Sequence, residues 1–143
     1  MASAVNGYAA LTYNGTNDLS VTTEATYEGT AVDGFGEASA VTVQVVATIV
    51  SAGTAINLYI QTSLDQGNTW IDIMAFNFQT TSEVVVATID ARKSITTPYT
   101  PTDGSLTPDT VKEGILGDRL RFVAKSTGTY ANTTIKVRAQ AHA

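Results

Sequence analysis

Apolar and polar residues alternate with a period of two along most of the chain, which is the pattern of half-buried β-strands. The alternation is clearest over residues 41–50 and recurs over 56–61, 119–125 and 135–139, while β-branched residues mark a further strand over 83–90. No segment shows the 3.6-residue period of an amphipathic helix. Roughly eight short strands separated by turns predict an all-β fold, an antiparallel β-sandwich or jelly-roll-like single domain.

The last two alternating segments combine an apolar inner face with a basic outer face. We interpret them as a final β-hairpin that turns at residues 126–129, where Gly128 lies among small polar residues. The residues predicted to face outward are Arg119, Arg121, Lys125, Lys136 and Arg138. If the two strands pair, these cations share one side, where they suit either phosphate binding or protection of an edge hairpin against aggregation.

Residues 70–76 form a predicted strand that is apolar on both faces apart from Asp72. Two explanations remain open at this point. Either the strand is covered on both sides within the domain, or its outer face meets a partner.

Two polar regions lie outside the alternating pattern. Residues 1–17 are small and polar and are interpreted as an N-terminal arm rather than core, which leaves residues 18–143 as the sandwich domain. Residues 91–113 contain all three prolines and form a predicted long loop within that domain. We expect the arm and the loop to become ordered only against a neighbouring molecule.

A turn motif separates the strands over 56–61 and 70–76. Asp65 can bond its own backbone there, and Gly67 can take the positive φ that a short hairpin requires. The pattern Ser-x-Asp-x-Gly-x-Thr-Trp resembles the Asp-box hairpin. The residues assigned to this structural turn are Ser63, Asp65, Gly67, Thr69 and Trp70. We expect Asp65 to cap the turn and Trp70 to be mostly buried.

Composition and charge favour a protein whose surface packs against other proteins. Charged residues make up only 15% of the chain, and Ser and Thr take their place. Residues 1–91 carry nine acids and no base, whereas 92–143 carry four acids and eight bases, so charges of −9 and +4 add to −5. This asymmetry favours association between opposite charges, unless the folded sheets interleave the two parts.

The residues of common active sites are missing from the sequence. It contains no Cys, and its one histidine, His142, is next to the last residue, where we do not expect a fixed general base. No phosphate-binding loop, nucleophile motif or calcium-loop spacing occurs. We therefore expect no enzymatic activity, no catalytic residue, no cofactor and no metal site.

Two classes of partner are also disfavoured. The net charge of −5 opposes the binding of nucleic acid. No apolar run approaches the length of a membrane span, so we expect no membrane partner. The first residues contain neither a basic region nor an apolar run, so we also expect no signal peptide.

Over residues 38–140 the order of these features resembles a family of small β-sandwich virion proteins of tailed bacteriophages. The features are the strand over 41–50, the Asp-box hairpin with its flanking strands, and Gly117-Asp118-Arg119-Leu120-Arg121-Phe122 before the turn at 126–129 and the last strand. The resemblance implies a capsid decoration (cement) protein, often a homotrimer, that binds the major capsid protein. It also implies assembly in the host cytoplasm and a final location on the capsid exterior.

The interface that such a role requires is assigned to aromatic and basic side chains. The candidate interface residues are Tyr8, Tyr13, Arg119, Arg121, Lys136 and Arg138.

Alternatives stay open beside the cement protein. The chain can be a structural component of the phage neck or tail, a carbohydrate-binding β-sandwich module, or an enzyme fragment acting on glycans. A sugar binder requires a row of exposed aromatic rings, which the six tyrosines would have to supply. A sialidase-type propeller is excluded, because its Asp-box recurs once per blade and the motif occurs here once.

Overall fold

The computed structural model describes residues 7–143 and contains eleven β-strands. Their bounds are β1 (Gly7–Leu11), β2 (Asp18–Val21), β3 (Thr26–Glu28), β4 (Val32–Asp33), β5 (Ala40–Thr48), β6 (Ala55–Ser63), β7 (Ile71–Phe78), β8 (Glu83–Asp90), β9 (Thr110–Val111), β10 (Arg119–Thr127) and β11 (Thr133–His142). In this part of the chain, no helix has the length and apolar character needed to cross a bilayer.

Two antiparallel sheets pack against each other. The first sheet has the strand order β1-β11-β5-β8, and β2 also pairs with β11. The second sheet has the order β3-β10-β6-β7-β9, and β4 also pairs with β10. The predicted fold class, an all-β antiparallel β-sandwich, is confirmed. The structure has more strands than expected because β2, β3, β4 and β9 are only two to four residues long.

Inner side chains of both sheets form one core, as the alternation predicted. Val43 and Val45 of β5 are fully buried, and they share a cluster with Leu120 and Phe122 of β10. Burial of each such side chain contributes roughly 1.5–3 kcal/mol to folding.

The predicted last hairpin is wrong. β10 pairs with β6 in the second sheet, whereas β11 pairs with β5 in the first. Residues 128–132 therefore cross the end of the sandwich, and the buried Tyr130 fills this crossing while its hydroxyl donates to the carbonyl oxygen of Gln79. Alternation identifies the inner face of a strand but not its sheet, because both sheets present the same pattern to the core. The shared basic side expected from this pairing does not form.

Part of the predicted N-terminal arm belongs to the sandwich. β1 pairs with β11 over all five of its residues, and Leu11 is fully buried. The expectation that residues 1–17 lie outside the core is therefore wrong from Gly7 onward, since one buried leucine and a ladder of backbone hydrogen bonds outweigh the small polar residues around them. Residues 1–6 of that arm lie outside the described part of the chain.

β6 and β7 form the hairpin that the Asp-box motif predicted. A β-bulge interrupts their register, because Ile60 pairs with Met74 while the next residue, Gln61, pairs with Asp72. Ile73 is the extra residue, so that Ile73 and Met74 both join the core. The bulge thereby places Asp72 on the outer face of the hairpin, beside Gln61.

The loop 91–113 covers this outer face. Leu106 packs against Tyr59 and Ala75 in a small second apolar cluster, and the backbone of the loop donates hydrogen bonds to Asp72. The strand over residues 70–76 is therefore covered on both sides within the domain, which is the first of the two explanations given above. The expectation that this loop becomes ordered only against a neighbour is wrong, because its own sheet anchors it.

Candidate functional site

The Asp-box turn is closed by its own side chains. Asp65 accepts hydrogen bonds from the backbone N–H and the hydroxyl of Thr69, at 2.8 and 2.7 Å. The Ser63 hydroxyl donates to the Asp65 carboxylate at 2.9 Å and accepts from the N–H of Gly67 at 2.7 Å. Gln66 and Gly67 have positive φ angles of 62° and 92°. The predicted cap at Asp65 and the predicted geometry at Gly67 are both present.

The hydrogen bonds at this turn favour the ionised form of Asp65. The N–H and hydroxyl of Thr69, with the hydroxyl of Ser63, hold the pKa of Asp65 below its ordinary value. Both carboxylate oxygens are therefore used inside the turn, which agrees with a structural role for this residue.

Trp70 is half-buried rather than mostly buried as predicted. The guanidinium of Arg121 lies over its ring, 4.3 Å from the ring centroid. Arg121 is held in place by the carboxylate of Glu28 at 2.9 Å and by the side-chain oxygen of Gln61 at 2.8 Å. Trp70 lies just before β7 and outside the core. A cation from β10, Arg121, covers its indole ring instead of core side chains.

Three of the six candidate interface residues lie away from the outer face of the first sheet and contact other parts of the fold. Arg121 covers Trp70, and the guanidinium of Arg119 lies beside Gly67 of the Asp-box turn. Tyr13 packs edge-on against Tyr27, with ring centroids 5.8 Å apart. These side chains contact their own domain, so the structure does not present them together to a partner.

The other three candidates, Tyr8, Lys136 and Arg138, share the outer face of the first sheet, which we call the open face. The register of the strands adds further residues to it, namely Ala10, Thr42, Gln44, Val46, Val84, Val86, Thr88 and Gln140. Cross-strand partners form rows over this face, one of which is Ala10-Arg138-Gln44-Val86. The strands β1, β11, β5 and β8 of the first sheet therefore present one continuous surface.

The open face has Arg138 at its centre between less polar edges, whereas Lys136 on the same face is paired with Asp18 at 3.3 Å. Arg138 makes only a long hydrogen bond, 3.4 Å, to Gln44. Tyr8 on one edge is 63% exposed, and Val84 and Val86 on the other are 58% and 60% exposed. Exposed tyrosine and aliphatic side chains around an arginine are typical of surfaces that bind other proteins.

The sequence pattern did not single out Val84 and Val86. Three consecutive valines, Val84 to Val86, are equally typical of a strand that is buried on both faces. Only the sheet order shows that β8 is an edge strand with one exposed face. The sequence feature that could have indicated an edge strand is the presence of charged residues, Glu83 and Asp90, at the two ends of the apolar run.

The charge asymmetry of the sequence does not divide the molecule into an acidic and a basic side. β11 lies between β1 and β5, and β10 lies between β3 and β6. Lys136 pairs with Asp18 at 3.3 Å and Arg121 with Glu28 at 2.9 Å, so each ion pair joins the two parts of the sequence. The folded sheets therefore interleave the acidic and the basic parts of the sequence.

The tyrosines do not form the row of exposed rings that a sugar binder requires. Tyr59 and Tyr130 are buried. Tyr13 packs on Tyr27, and Tyr8 lies on the edge of the first sheet. Tyr99 is half-buried in the loop 91–113, where its hydroxyl donates to the carbonyl oxygen of Asp72. The observation that would favour carbohydrate binding is therefore missing from residues 7–143.

Two features of the fold carry groups that could take part in catalysis. A groove of about 520 Å³ lies between the segment 93–100 and residues 111–115, where Lys93 and Glu113 pair with each other. His142 is held in β11 opposite Ala40 rather than frayed, and its ring contacts the hydroxyl of Thr42 at 3.2 Å. Among the described residues, no three Asp, Glu or His side chains gather as a metal site would require. Neither feature unites a nucleophile, a base and an oxyanion donor.

Comparison with known proteins does not assign the chain to a family. No protein-family model matches it, and no curated protein sequence matches it at a significant level. The open face and the Asp-box hairpin are therefore the features from which its role is inferred.

Proposed function

We propose that the chain is a structural protein of a tailed-bacteriophage virion that cements the outside of the capsid by binding the major capsid protein. The open face carries the proposal, because Tyr8, Val84 and Val86 are exposed on one sheet while the loop 91–113 covers part of the other sheet. Exposed tyrosine and valine side chains on one continuous sheet face favour a protein partner. The resemblance of residues 38–140 to small β-sandwich virion proteins supplies the virion context.

A cement protein acts through many copies, each of which binds a lattice of identical shell subunits. The resemblance implies a homotrimer, in which three open faces engage neighbouring shell subunits at the same time. Linked contacts of this kind strengthen binding through effective concentration, even when each contact is weak. The low charge of the chain, 15% of residues, reduces the cost of desolvating such a surface.

The proposal depends on neither the loop 91–113 nor the charge asymmetry. The loop is anchored through Asp72 on its own domain, and the oppositely charged parts of the sequence interleave. The shape and chemistry of the open face are therefore the observations that support this function. Arg138 at its centre is the residue whose charge reversal should act most directly on a shell partner.

The test is co-sedimentation of the purified chain with undecorated shells of its own virus. We expect saturable binding by the wild type and a loss of about tenfold or more in affinity for Arg138→Glu. A charge that is not matched by the partner is costly at an interface. Lys112→Glu reverses a charge on the loop 91–113, away from the open face, and should bind like the wild type.

Two results would contradict the proposal. Shells that never bind the wild-type chain, together with co-purification of the chain with tails, would move it to the neck or tail. Equal losses for Arg138→Glu and Lys112→Glu would show that the open face is not the binding surface.

A further inference from the structure

A tight turn between β1 and β2 has Asn14 and Gly15 at its tip. Tyr13 and Thr16 close the turn through one isolated β-bridge, in which each backbone N–H donates to the carbonyl oxygen of the other, at 2.9 and 3.1 Å. Asn14 and Gly15 have positive φ angles of 50° and 82°. This is the pattern of a type I′ turn, for which Asn-Gly is a preferred pair.

The tip of this turn lies in solvent and is held by few contacts. Asn14, Gly15 and Thr16 are all exposed, and a Cβ atom on Gly15 would meet no heavy atom within 4 Å. Besides the bridge, the Thr16 hydroxyl donates to the carbonyl oxygen of Tyr13 at 3.0 Å. Segments with few buried contacts and exposed hydrogen bonds open locally at a small cost in free energy. We therefore expect the turn to open while the sandwich stays folded.

We propose that Asn14 is a site of spontaneous deamidation, at which the folded protein converts this residue to aspartate and isoaspartate. The backbone nitrogen of Gly15 loses its proton and attacks Cγ of Asn14. A bond forms between these two atoms, and the bond from Cγ to Nδ2 breaks. Ammonia leaves with the proton that Gly15 gave up, and a five-membered succinimide ring remains. Water then opens this ring at the side-chain carbonyl to give aspartate, or at the backbone carbonyl to give isoaspartate.

Gly15 is the feature that makes this chemistry specific to Asn14. A glycine has no Cβ to shield its nitrogen, and its backbone adopts the conformations that ring closure requires more readily than other residues do. The other described asparagines are each followed by a residue with a side chain; they are Asn17, Asn57, Asn68, Asn77 and Asn132. The nearest of them, Asn17, is also held in place, because its side-chain amide donates to the carbonyl oxygens of Leu11 and Val137 at 3.4 and 3.2 Å.

The products change the turn in charge and in length. Each adds a carboxylate to an exposed loop of a chain whose net charge is already −5. Isoaspartate also inserts one more carbon into the backbone, so Tyr13 and Thr16 no longer face each other across a two-residue turn. This reaction goes beyond the proposed virion function and does not require it. Its tests use the purified chain without shells, so that either proposal can fail alone.

The first test follows deamidation by mass spectrometry during incubation at mildly alkaline pH, which favours loss of the Gly15 proton. Cleavage at glutamate releases residues 1–24, and fragment spectra distinguish Asn14 from Asn6 and Asn17. We expect Asn14 in the folded chain to convert within about tenfold of its rate in the denatured chain, because exposed turns open at little cost. Asn17, in the same peptide, should keep its amide. An Asn14 that persists in the folded protein after the denatured chain has converted, or an Asn17 that converts as fast, overturns the proposal.

The second test detects isoaspartate in the aged, folded protein with an isoaspartate-specific methyltransferase and a labelled methyl donor. Both chains compared carry Asn6→Gln, because Asn6-Gly7 is the other Asn-Gly pair of the sequence. One of them also carries Asn14→Gln, whose longer side chain would have to close a less favourable six-membered ring. Glutamine is compatible with the turn, since Gln66 adopts a φ of 62° in this fold. We expect label within residues 1–24 of the first chain and its loss from the second. Equal labelling of both chains, or none in either, refutes the assignment to Asn14.

Discussion

The backbone N–H of Gly104 donates to both carboxylate oxygens of Asp72, at 2.9 and 2.8 Å, although 32 residues separate the two in the chain. The N–H groups of Ser105 and Leu106 donate to the same carboxylate at 3.0 and 3.1 Å, and the hydroxyl of Thr102 donates at 2.9 Å. Asp72 is fully buried, so neutral donors of the loop, together with the side-chain amide of Gln61 at 2.8 Å, compensate a buried charge. This carboxylate fixes the loop 91–113 on the outer face of the second sheet.

Asp72→Asn should therefore release the loop while leaving the sandwich intact. The amide nitrogen of Asn offers donors where the backbone N–H groups of the loop need an acceptor. We expect a loss of about 1.5–3 kcal/mol in the free energy of unfolding, the range for hydrogen bonds to charged groups. Limited trypsin digestion should then cut faster after Arg92, Lys93 and Lys112, which lie near the two ends of the loop. Denaturant unfolding measures the first effect, and the rate of cleavage measures the second.

The control is Asp109→Asn in the same loop. Asp109 is exposed and has a φ of 60°, which Asn tolerates well. It should keep both the stability and the protease resistance of the wild type. If Asp72→Asn resists trypsin as the wild type does, the loop is held by Leu106 and its apolar neighbours instead.

The Asp65 carboxylate should make the stability of the hairpin depend on pH. Thr69 and Ser63 hold its pKa in the folded state below the ordinary value of 3.8. A lowered folded-state pKa gives stability that is present above about pH 3.8 and is lost as the pH falls through the folded-state value. Asp65→Asn should thus melt a few degrees below the wild type at pH 7, and the difference should shrink below pH 3.8. Glu37→Gln, an exposed neutralisation, should show no such convergence.

The local features of this fold could be predicted from sequence, whereas contacts between distant segments could not. The inner face of β5 and the turn at Asp65 follow from alternation and from side-chain hydrogen bonds within a few residues. The separation of β10 and β11 into different sheets does not, because their inner faces carry the same pattern. Asp72 gave a signal, since an acid in an otherwise apolar strand needs donors, but nothing local showed that Gly104 supplies them.

Gly117 should tolerate no side chain, although its φ is not in the left-handed region. A Cβ atom there would lie against the carbonyl oxygen of Ser63, at a distance that only a backbone shift relieves. The N–H of Gly117 also donates to the Thr62 hydroxyl at 2.8 Å, which fixes this approach at the base of the Asp-box hairpin. We expect Gly117→Ala to cost about 3 kcal/mol or more by the overpacking it forces. Thermal unfolding gives the measurement.

Gly36→Ala is the matched control for Gly117→Ala. Its Cβ would lie 3.5 Å from the Cβ of Asp118, an ordinary contact, and its φ is not in the left-handed region. Replacing glycine there restricts the unfolded chain and should leave stability unchanged or slightly raised. A wild-type melting temperature for Gly117→Ala would show that the Ser63 backbone can move aside at little cost.

Trp70 is the only tryptophan, so its fluorescence reports on the group that covers its indole ring. The guanidinium of Arg121 lies 4.3 Å from its ring centroid, and only 11% of the Arg121 side chain is exposed. Arg121→Ala should lower the free energy of unfolding by about 1–3 kcal/mol, since a shielded cation–π contact and charged hydrogen bonds are lost together. Fluorescence emission should shift to longer wavelength, and acrylamide should quench it more strongly. Arg138→Ala removes an arginine of the open face and should change neither emission nor quenching. Equal spectra for both variants would mean that another group shields the indole and that Arg121 only rests against it.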